Sequence, residues 1–308
     1  MRVLLTGSTG FIGTAVARAL RNRGDEVVGV VRSAPLAGDV VIDLSAGTLD
    51  ASRVAGGTLD GFGAAVHLAG APIIGRWSAG RREEIRASRI AVGDLLARTL
   101  SGLVEPPAVL VSGSAIGYYG DGGEAQLDES SRNGSGYLAE LCRAWEAATG
   151  PARAAGIRTV MIRTGIVLGP GGGALSPQIK LFRLGLGGRL GSGRQWMSVI
   201  SLADEVGAVL RAIDDNSLQG PVNATSPTPV RNSDFTTELA RAVGRAAHFI
   251  IPAPALRIAL GSGPANEMLL VSQRVVPRQL LDAGFQFEHT DAAAALDWAT
   301  GGDRSVRT

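Results

Sequence analysis

An α/β fold, with a doubly wound parallel sheet and a smaller C-terminal substrate-side region, is predicted by three observations. Short apolar runs alternate with segments of helical period through the first half of the chain, the order of βαβ units. Gly7, Gly10 and Gly13 stand between the first apolar run and the first helical segment, where a strand gives way to a helix. The 308 residues are 45% hydrophobic and 19% charged, which supplies a sizeable core and argues against disorder. Together these describe a Rossmann-type sheet. Helices should cover both faces, because parallel crossovers are nearly always right-handed.

Val3–Leu5 reads as the first strand and Ile12–Arg23 as the first helix, closed by Gly24. Val27–Val31, the short Val40–Ile42 and Ala64–Leu68 follow as strands. A charged helix covers Ala79 to Leu100, Pro106-Pro107 ends its connection, and Val109–Ser112 is the next strand. A helix from Gly136 to Ala155 leads to a strand at Thr159–Arg163. Beyond Thr164 the pattern loosens into a glycine-rich loop at Gly169–Gly173, a helix at Ala174–Leu186 and a second glycine-rich stretch at Gly187–Gly193. Met197–Ile200 and Val222–Ala224 read as strands. Ala203–Ile213 and Asp234–Val243 read as helices, the second capped by Asn232 or Ser233. The tail carries helical stretches at Ala255–Leu260, Val275–Ala283 and Asp291–Trp298, and Gly301–Thr308 should fray. Residues 1–165 form the expected nucleotide-binding domain, with segments of 195–225 returning to it. Residues 166–308 form the smaller substrate-side and C-terminal helical domain.

Composition excludes several classes. No charge-free run of about eighteen apolar residues occurs, so no membrane span is expected. Arg2 precedes only a short apolar run, unlike a signal peptide, which places the protein in the cytoplasm. Cys142 is the single cysteine, so no intrachain disulfide or Cys-rich zinc site can form, and no metal is expected. Its expected role is that of a small buried apolar residue. The net charge is +2 and no dense basic stripe appears, which argues against a nucleic-acid partner. The expected partner is a small molecule, and self-association is compatible with the sequence.

The opening Gly7, Ser8, Thr9, Gly10, Phe11, Ile12 and Gly13 point to a pyrophosphate cradle. A helix N-terminus presents unpaired N–H groups and positive dipole charge, and glycine lets backbone approach the phosphate. In such pockets an acidic residue ending the second strand selects NAD, and a basic one accommodates the extra phosphate of NADP. Here Arg32 and Ser33 stand at that point, with no Asp or Glu. Arg32 offers a permanently charged donor fork, so NADP is the expected cofactor. An exposed arginine after a strand is the alternative. Asp43 is a candidate acceptor for the adenine amino group, and an ordinary strand-end turn residue equally well.

The segment Thr6-Gly7-Ser8-Thr9-Gly10-Phe11-Ile12-Gly13, with His67-Leu68-Ala69-Gly70, resembles the extended short-chain dehydrogenase/reductase family. Further segments narrow the resemblance: Ser114-Ala115-Ile116-Gly117-Tyr118-Tyr119-Gly120, Ala139-Glu140-Leu141-Cys142-Arg143-Ala144-Trp145-Glu146, Gln195-Trp196-Met197-Ser198, and Gln273-Arg274-Val275-Val276-Pro277-Arg278 with Leu281-Asp282-Ala283-Gly284-Phe285. They are similar to the NAD-dependent-epimerase-like "epimerase family protein" subgroup, which has a small DUF1731-like C-terminal domain. The resemblance implies that Leu68, Ala69 and Gly70 border the cofactor, and that Ser114 contacts the substrate oxygen. From the charged helix, Ser88-Arg89 is a candidate contact into the pocket, and Arg89 is assigned to the cofactor.

The resemblance also exposes a departure. The wider family uses a tyrosine and a lysine four residues later, whose charge lowers the tyrosine pKa from about 10. Tyr137 stands at the expected place, but Leu141 occupies the lysine position, and Lys180 is the only lysine in the chain. Three arrangements remain open: Arg143 replaces the lysine charge; Tyr118 or Tyr119 exchanges the proton with another partner; or the site binds NADP and catalyses little. Ser114, Tyr118 and Tyr137 are therefore the candidate catalytic residues. The expected function is an NADP-dependent oxidoreductase or epimerase acting on a small polar substrate, sugars among the options. The alternative is a non-catalytic NADP-binding regulator. His67 is a candidate catalyst or a backbone-bonding residue. The Gly169–Gly173 loop, Trp196 and Met197 are candidates to line the substrate side.

Overall fold

In a computed structural model, residues 1–32 and 38–301 are described. The central sheet has eight strands in the order Gly220–Ala224, Arg158–Thr164, Val109–Ala115, Ala64–His67, Arg2–Thr6, Glu26–Val31, Val40–Asp43 and Thr48–Asp50. All neighbours are parallel except Val40–Asp43 with Thr48–Asp50, an antiparallel edge hairpin. The chain starts in the middle of the sheet. It builds one half outward from Arg2–Thr6 and then returns to build the other from Ala64–His67. The switch point between these two strands is where an open α/β sheet forms its ligand crevice.

Alternation along the first strand explains why both faces are covered. Val3 and Leu5 enter one core with Val16, Leu20, Val111, Ile162 and Val209. Leu4 enters the other with Val28, Val30, Leu96, Leu100 and Leu110. Successive side chains of a strand point to opposite faces, so a fully apolar strand needs a helix layer on each. A third core, with Leu168, Leu175, Phe235, Leu239 and Leu296, supports the C-terminal half.

Several boundaries differ from the sequence reading for local reasons. The Gly136–Ala155 segment forms two helices, Tyr137–Ala147 and Gly150–Ala154. Pro151 lacks an N–H to continue the first and suits the first turn of the second. The Ala79–Leu100 helix contains a π turn at Ala87–Ala91 between Ala79–Arg86 and Val92–Ser101. Val275–Ala283 splits into a strand, Arg274–Val275, and a helix, Arg278–Asp282, because Pro277 interrupts it. Met197–Ile200 is two short strands, Trp196–Met197 and Val199–Ser201. The strands Gln126–Leu127, Ile166–Leu168, Gly188–Leu190 and Phe249–Ile251 have too little pattern to be read from sequence. Ser33 and most of the expected frayed tail lie outside the described residues.

Candidate nucleotide-binding and active site

The first strand ends in a turn that only glycine can make. Gly7 has φ +73°, and a Cβ there would sit 2.7 Å from the Ala69 nitrogen and the Leu68 carbonyl carbon. The turn thus presses directly on the segment that follows the neighbouring strand. At Gly13, inside the helix Phe11–Asn22, a Cβ would lie 2.0 Å from the Gly7 carbonyl oxygen. Gly10 is the N-cap and no side chain caps the helix, so its first N–H groups are left for a ligand. This cradle fits a dinucleotide pyrophosphate: the glycines bring backbone in, and the open helix end supplies donors and positive potential.

Thr6 and His67 lock the two strand ends together. The His67 Nε2 lies 3.1 Å from the Arg89 carbonyl, which can only accept, so Nε2 carries the proton. Burial holds the imidazole pKa down at about 4, so the ring is neutral and Nδ1 accepts from the Thr6 hydroxyl at 2.8 Å. The Thr6 oxygen in turn accepts from the Leu68 and Ala69 N–H groups at 3.1 Å. His67 therefore braces the cradle, the backbone-bonding one of its two sequence readings.

Arg89 emerges from the π turn, a device often found at functional sites. Its guanidinium lies beside Gly70, where a Cβ would be 2.9 Å from its Cζ. It donates to the Ala71 carbonyl at 3.0 Å and lies 5.1 Å over the Trp145 ring. Ser88 accepts from the Ala71 N–H at 2.9 Å, so both residues hold the segment after Gly70. Arg32 is exposed and makes no hydrogen bond or ion pair among the described residues. Asp43 behaves as a turn residue: its Oδ1 accepts from the Ser45 N–H and hydroxyl and the Ala46 N–H, which hold its pKa down.

The glycine-rich loop packs on the first helix. A Cβ at Gly172 would lie 2.3 Å from the Phe11 ring, and one at Gly173 2.8 Å. The loop covers Phe11 of the cradle. The Trp196 ring carries Arg231 at 3.9 Å and Arg274 at 4.8 Å, and its N–H donates to Glu124. Met197 accepts from the Asn232 amide and packs against the third core.

The candidate catalytic residues make separate sets of contacts. Ser114, at the end of the Val109–Ala115 strand, is buried and donates to Glu146 Oε1 at 2.7 Å. Arg163 donates to both Glu146 oxygens, at 2.8 and 2.9 Å, and to the Tyr119 hydroxyl at 2.9 Å. Tyr119 passes its own proton to Asn223 Oδ1 at 2.7 Å, and burial pushes its pKa up to about 12. Tyr137 instead donates to the Arg82 carbonyl and packs on Trp77. On the Tyr137–Ala147 helix, Leu138 and Cys142 border Gly117, Trp145 borders Gly113, and Glu146 bonds Ser114. Cys142 is buried, with a pKa raised to about 12 by that burial. Arg143 is exposed on the far face, which removes it as a replacement for the lysine charge. Tyr118 is the tyrosine whose hydroxyl has no partner among the described residues, and the Arg163 guanidinium lies 3.5 Å over its ring.

The C-terminal segment closes over this strand end. Gln273 donates to the Ile116 and Gly120 carbonyls at 3.0 Å, and Glu267 accepts from the Leu138 N–H at 2.8 Å. Between these elements lies a cavity of about 190 Å³ bordered by Gly117, Leu138, Glu267 and Gln273. The roles of Glu267 and Gln273 are not visible in sequence. For Glu146 a signal exists: its helix buries positions 138, 141, 142, 145 and 146, and a carboxylate on a buried face needs a partner.

One further carboxyl sits behind the crevice. Glu205 is fully buried, accepts from Thr164 at 2.8 Å through Oε1, and leaves Oε2 without a partner. Burial raises its pKa from 4.5 to about 7. A raised carboxyl favours the folded state most below pH 4.5, and that contribution is lost as pH rises to about 7. Glu205→Gln is expected to gain about 2 to 3 kcal/mol on wild type between pH 5 and pH 8. Urea unfolding of both proteins at the two pH values checks this; an unchanged difference contradicts it.

Comparison with known proteins agrees with this geometry. Residues 3–224 match the model of the NAD dependent epimerase/dehydratase family, and residues 251–299 match a domain of unknown function, DUF1731. Epimerase family protein Mb2239 of Mycobacterium bovis is 43% identical over 97% of both chains. The human epimerase family protein SDR39U1 is 36% identical over 96% of this chain and 98% of its own. A crystal structure of human SDR39U1 (isoform 2) with NADPH superposes with a TM-score of 0.87 at 33% identity, covering 98% of this chain and 99% of that one. Among the described residues, no helix is long and apolar enough to cross a membrane, and no cluster of His, Cys, Asp or Glu is arranged to hold a metal.

Proposed function

Because this chain belongs to the NAD-dependent epimerase/dehydratase family, we propose that it is an NADP-dependent oxidoreductase or epimerase-like enzyme for a small polar substrate. Its proton chemistry does not use the family's tyrosine-lysine pair. The cofactor assignment draws support from the Gly7–Gly13 cradle, from Arg32 at the end of the second strand, and from the NADPH bound to the human relative. Gly7 to Gly13 would hold the pyrophosphate, Arg32 with Ser33 the 2′-phosphate, and Leu68 to Gly70 with Arg89 the region toward the nicotinamide. When bound, the cofactor supplies hydride transfer at its nicotinamide.

The observation that carries the catalytic part is the distribution of hydroxyl protons. Ser114, Tyr119 and Tyr137 each donate to a fixed acceptor, and Tyr118 does not. Tyr118, beside Arg163, is therefore assigned to exchange the proton, and Ser114 keeps the contact to the substrate oxygen that the family resemblance implies. The cavity of about 190 Å³ under Glu267 and Gln273 borders Gly117, the neighbour of Tyr118 in the chain, but is lined by neither Tyr118 nor Ser114. One observation favours a second reading, a non-catalytic NADP-binding regulator. Leu138 and Cys142 border Gly117 from the Tyr137–Ala147 helix and neither offers acid-base chemistry, while Glu146 is held by Arg163 and Ser114.

Hydride turnover separates the two. NADP⁺ reduction is followed at 340 nm with a panel of small alcohols, amines and sugars, and NADPH oxidation with the matching carbonyl compounds. Positioned acid-base groups contribute about 10²- to 10⁴-fold, so Tyr118→Phe is expected to lose about 100-fold or more, and Ser114→Ala to lose activity as well. Tyr137→Phe should remain within a few-fold of wild type, roughly the range of a lost exposed contact. Absence of turnover across the panel favours the regulator, and loss in Tyr137→Phe alone contradicts the assignment of Tyr118.

A further inference from the structure

The hydrogen bonds behind Ser114 have only one consistent set of directions. Arg163 is a donor at every nitrogen, so both Glu146 oxygens it touches are acceptors. Ser114, 2.7 Å from Glu146 Oε1, must therefore give its single proton to that oxygen. The chain continues the same way: Arg163 donates to Tyr119, Tyr119 to Asn223 Oδ1, and the Asn223 amide to the Val276 carbonyl at 3.0 Å, which fixes the amide's orientation. The network is buried. Arg163 is 3% exposed and Asn223 0%, so water is poorly placed to take over any of these partners. Turning the Ser114 proton toward the crevice would leave its oxygen facing an acceptor-only carboxylate in a site of low dielectric.

We infer that Glu146 and Arg163 fix Ser114 as a hydrogen-bond acceptor, so that the substrate group docking there is a donor, a hydroxyl or an amino group, rather than a carbonyl. This deepens the proposed function and rests on Ser114 facing the bound cofactor. It makes Glu146 and Arg163 positioning residues that set the polarity of the site. The substrate class they select is an alcohol or amine, which enters by donating to Ser114 Oγ.

Cyclohexanol and cyclohexanone test this as a matched pair, since only the first has a proton to donate. The full-length protein is saturated with tetrahydro-NADP, which cannot transfer hydride, and each probe is titrated by ligand-observed NMR. The alcohol is expected to bind about tenfold more tightly than the ketone, the effect of one satisfied hydrogen bond. Ser114→Ala should bring the ratio close to one. The double variant Glu146→Met/Arg163→Met, which frees the Ser114 proton, should do the same by improving ketone binding. Equal or tighter ketone binding in wild type, no measurable alcohol binding, or an alcohol preference that survives in Ser114→Ala overturns the inference. Failure of tetrahydro-NADP to bind at all instead overturns the cofactor reading beneath it.

Discussion

Gly13→Ala is expected to weaken NADPH binding about 100-fold or more while leaving a folded protein. The added Cβ would lie 2.0 Å from the Gly7 oxygen, 2.7 Å from its carbonyl carbon and 3.2 Å from the Ser8 Cα. All three are backbone atoms of the cradle, so no flexible side chain can move aside. The first turn of the Phe11–Asn22 helix must retreat from the Gly7 turn. Gly7 cannot follow, because its own position is set by contact with Leu68 and Ala69. Losing one or two hydrogen bonds to the charged pyrophosphate, about 1.5–3 kcal/mol each, costs roughly 100-fold, and overpacking costs about 1–3 kcal/mol of stability. Gly10→Ala is the control. Its Cβ meets the Gly7 oxygen at 3.3 Å and its backbone is extended, so the loss should be much smaller. Fluorescence titration of NADPH with both variants checks the contrast, and equal effects contradict it.

Arg163→Met is expected to destabilise the protein by about 3–5 kcal/mol, the usual result of removing one partner from a buried ion pair. The variant leaves Glu146 among buried groups with Ser114 as its remaining polar contact, and it strips Tyr119 of its donor. Desolvation is the dominant cost: the carboxylate stays, and its compensation goes. Replacing both residues by methionine removes the uncompensated charge. The double variant should recover more than half of the loss, since apolar replacements of buried pairs are often nearly neutral. Chemical denaturation of the wild type, the single and the double variant forms a test of the pair. A double variant less stable than Arg163→Met would show that Glu146 is stabilised by groups other than Arg163.

The parts of this molecule that sequence reveals are those governed by local rules. The strand, glycine turn and helix of residues 2–22 are legible because each position answers to backbone geometry: an apolar run, φ +73° at Gly7, a close approach at Gly13. The alternation of Val3, Leu4 and Leu5 between two cores follows from strand periodicity alone. What sequence leaves open is decided by contacts between distant segments. Tyr137 matches a motif by spacing, yet helix phase turns it to Trp77 and Arg82 and sets Leu138, Cys142 and Glu146 toward Gly117 and Ser114. A step of one residue turns a side chain by about 100° around a helix, so spacing alone does not say what Tyr137 meets. The Gly169–Gly173 loop shows the same limit. Its composition announces close packing but leaves its partner, Phe11, unnamed. Glu267 and Gln273 serve the Tyr137–Ala147 helix and the turn after Ser114 from more than a hundred residues away, beyond the reach of any local pattern.

The claim on which the rest depends is that the Gly7–Gly13 cradle and Arg32 together bind NADP(H) in preference to NAD(H). Parallel titrations of NADPH and NADH, followed by nicotinamide fluorescence at low ionic strength, test it directly. NADPH should bind at least about tenfold more tightly, the worth of a charge-assisted contact to the 2′-phosphate, and Arg32→Ala should remove most of that difference. Equal affinities, or tighter binding of NADH, would contradict the account.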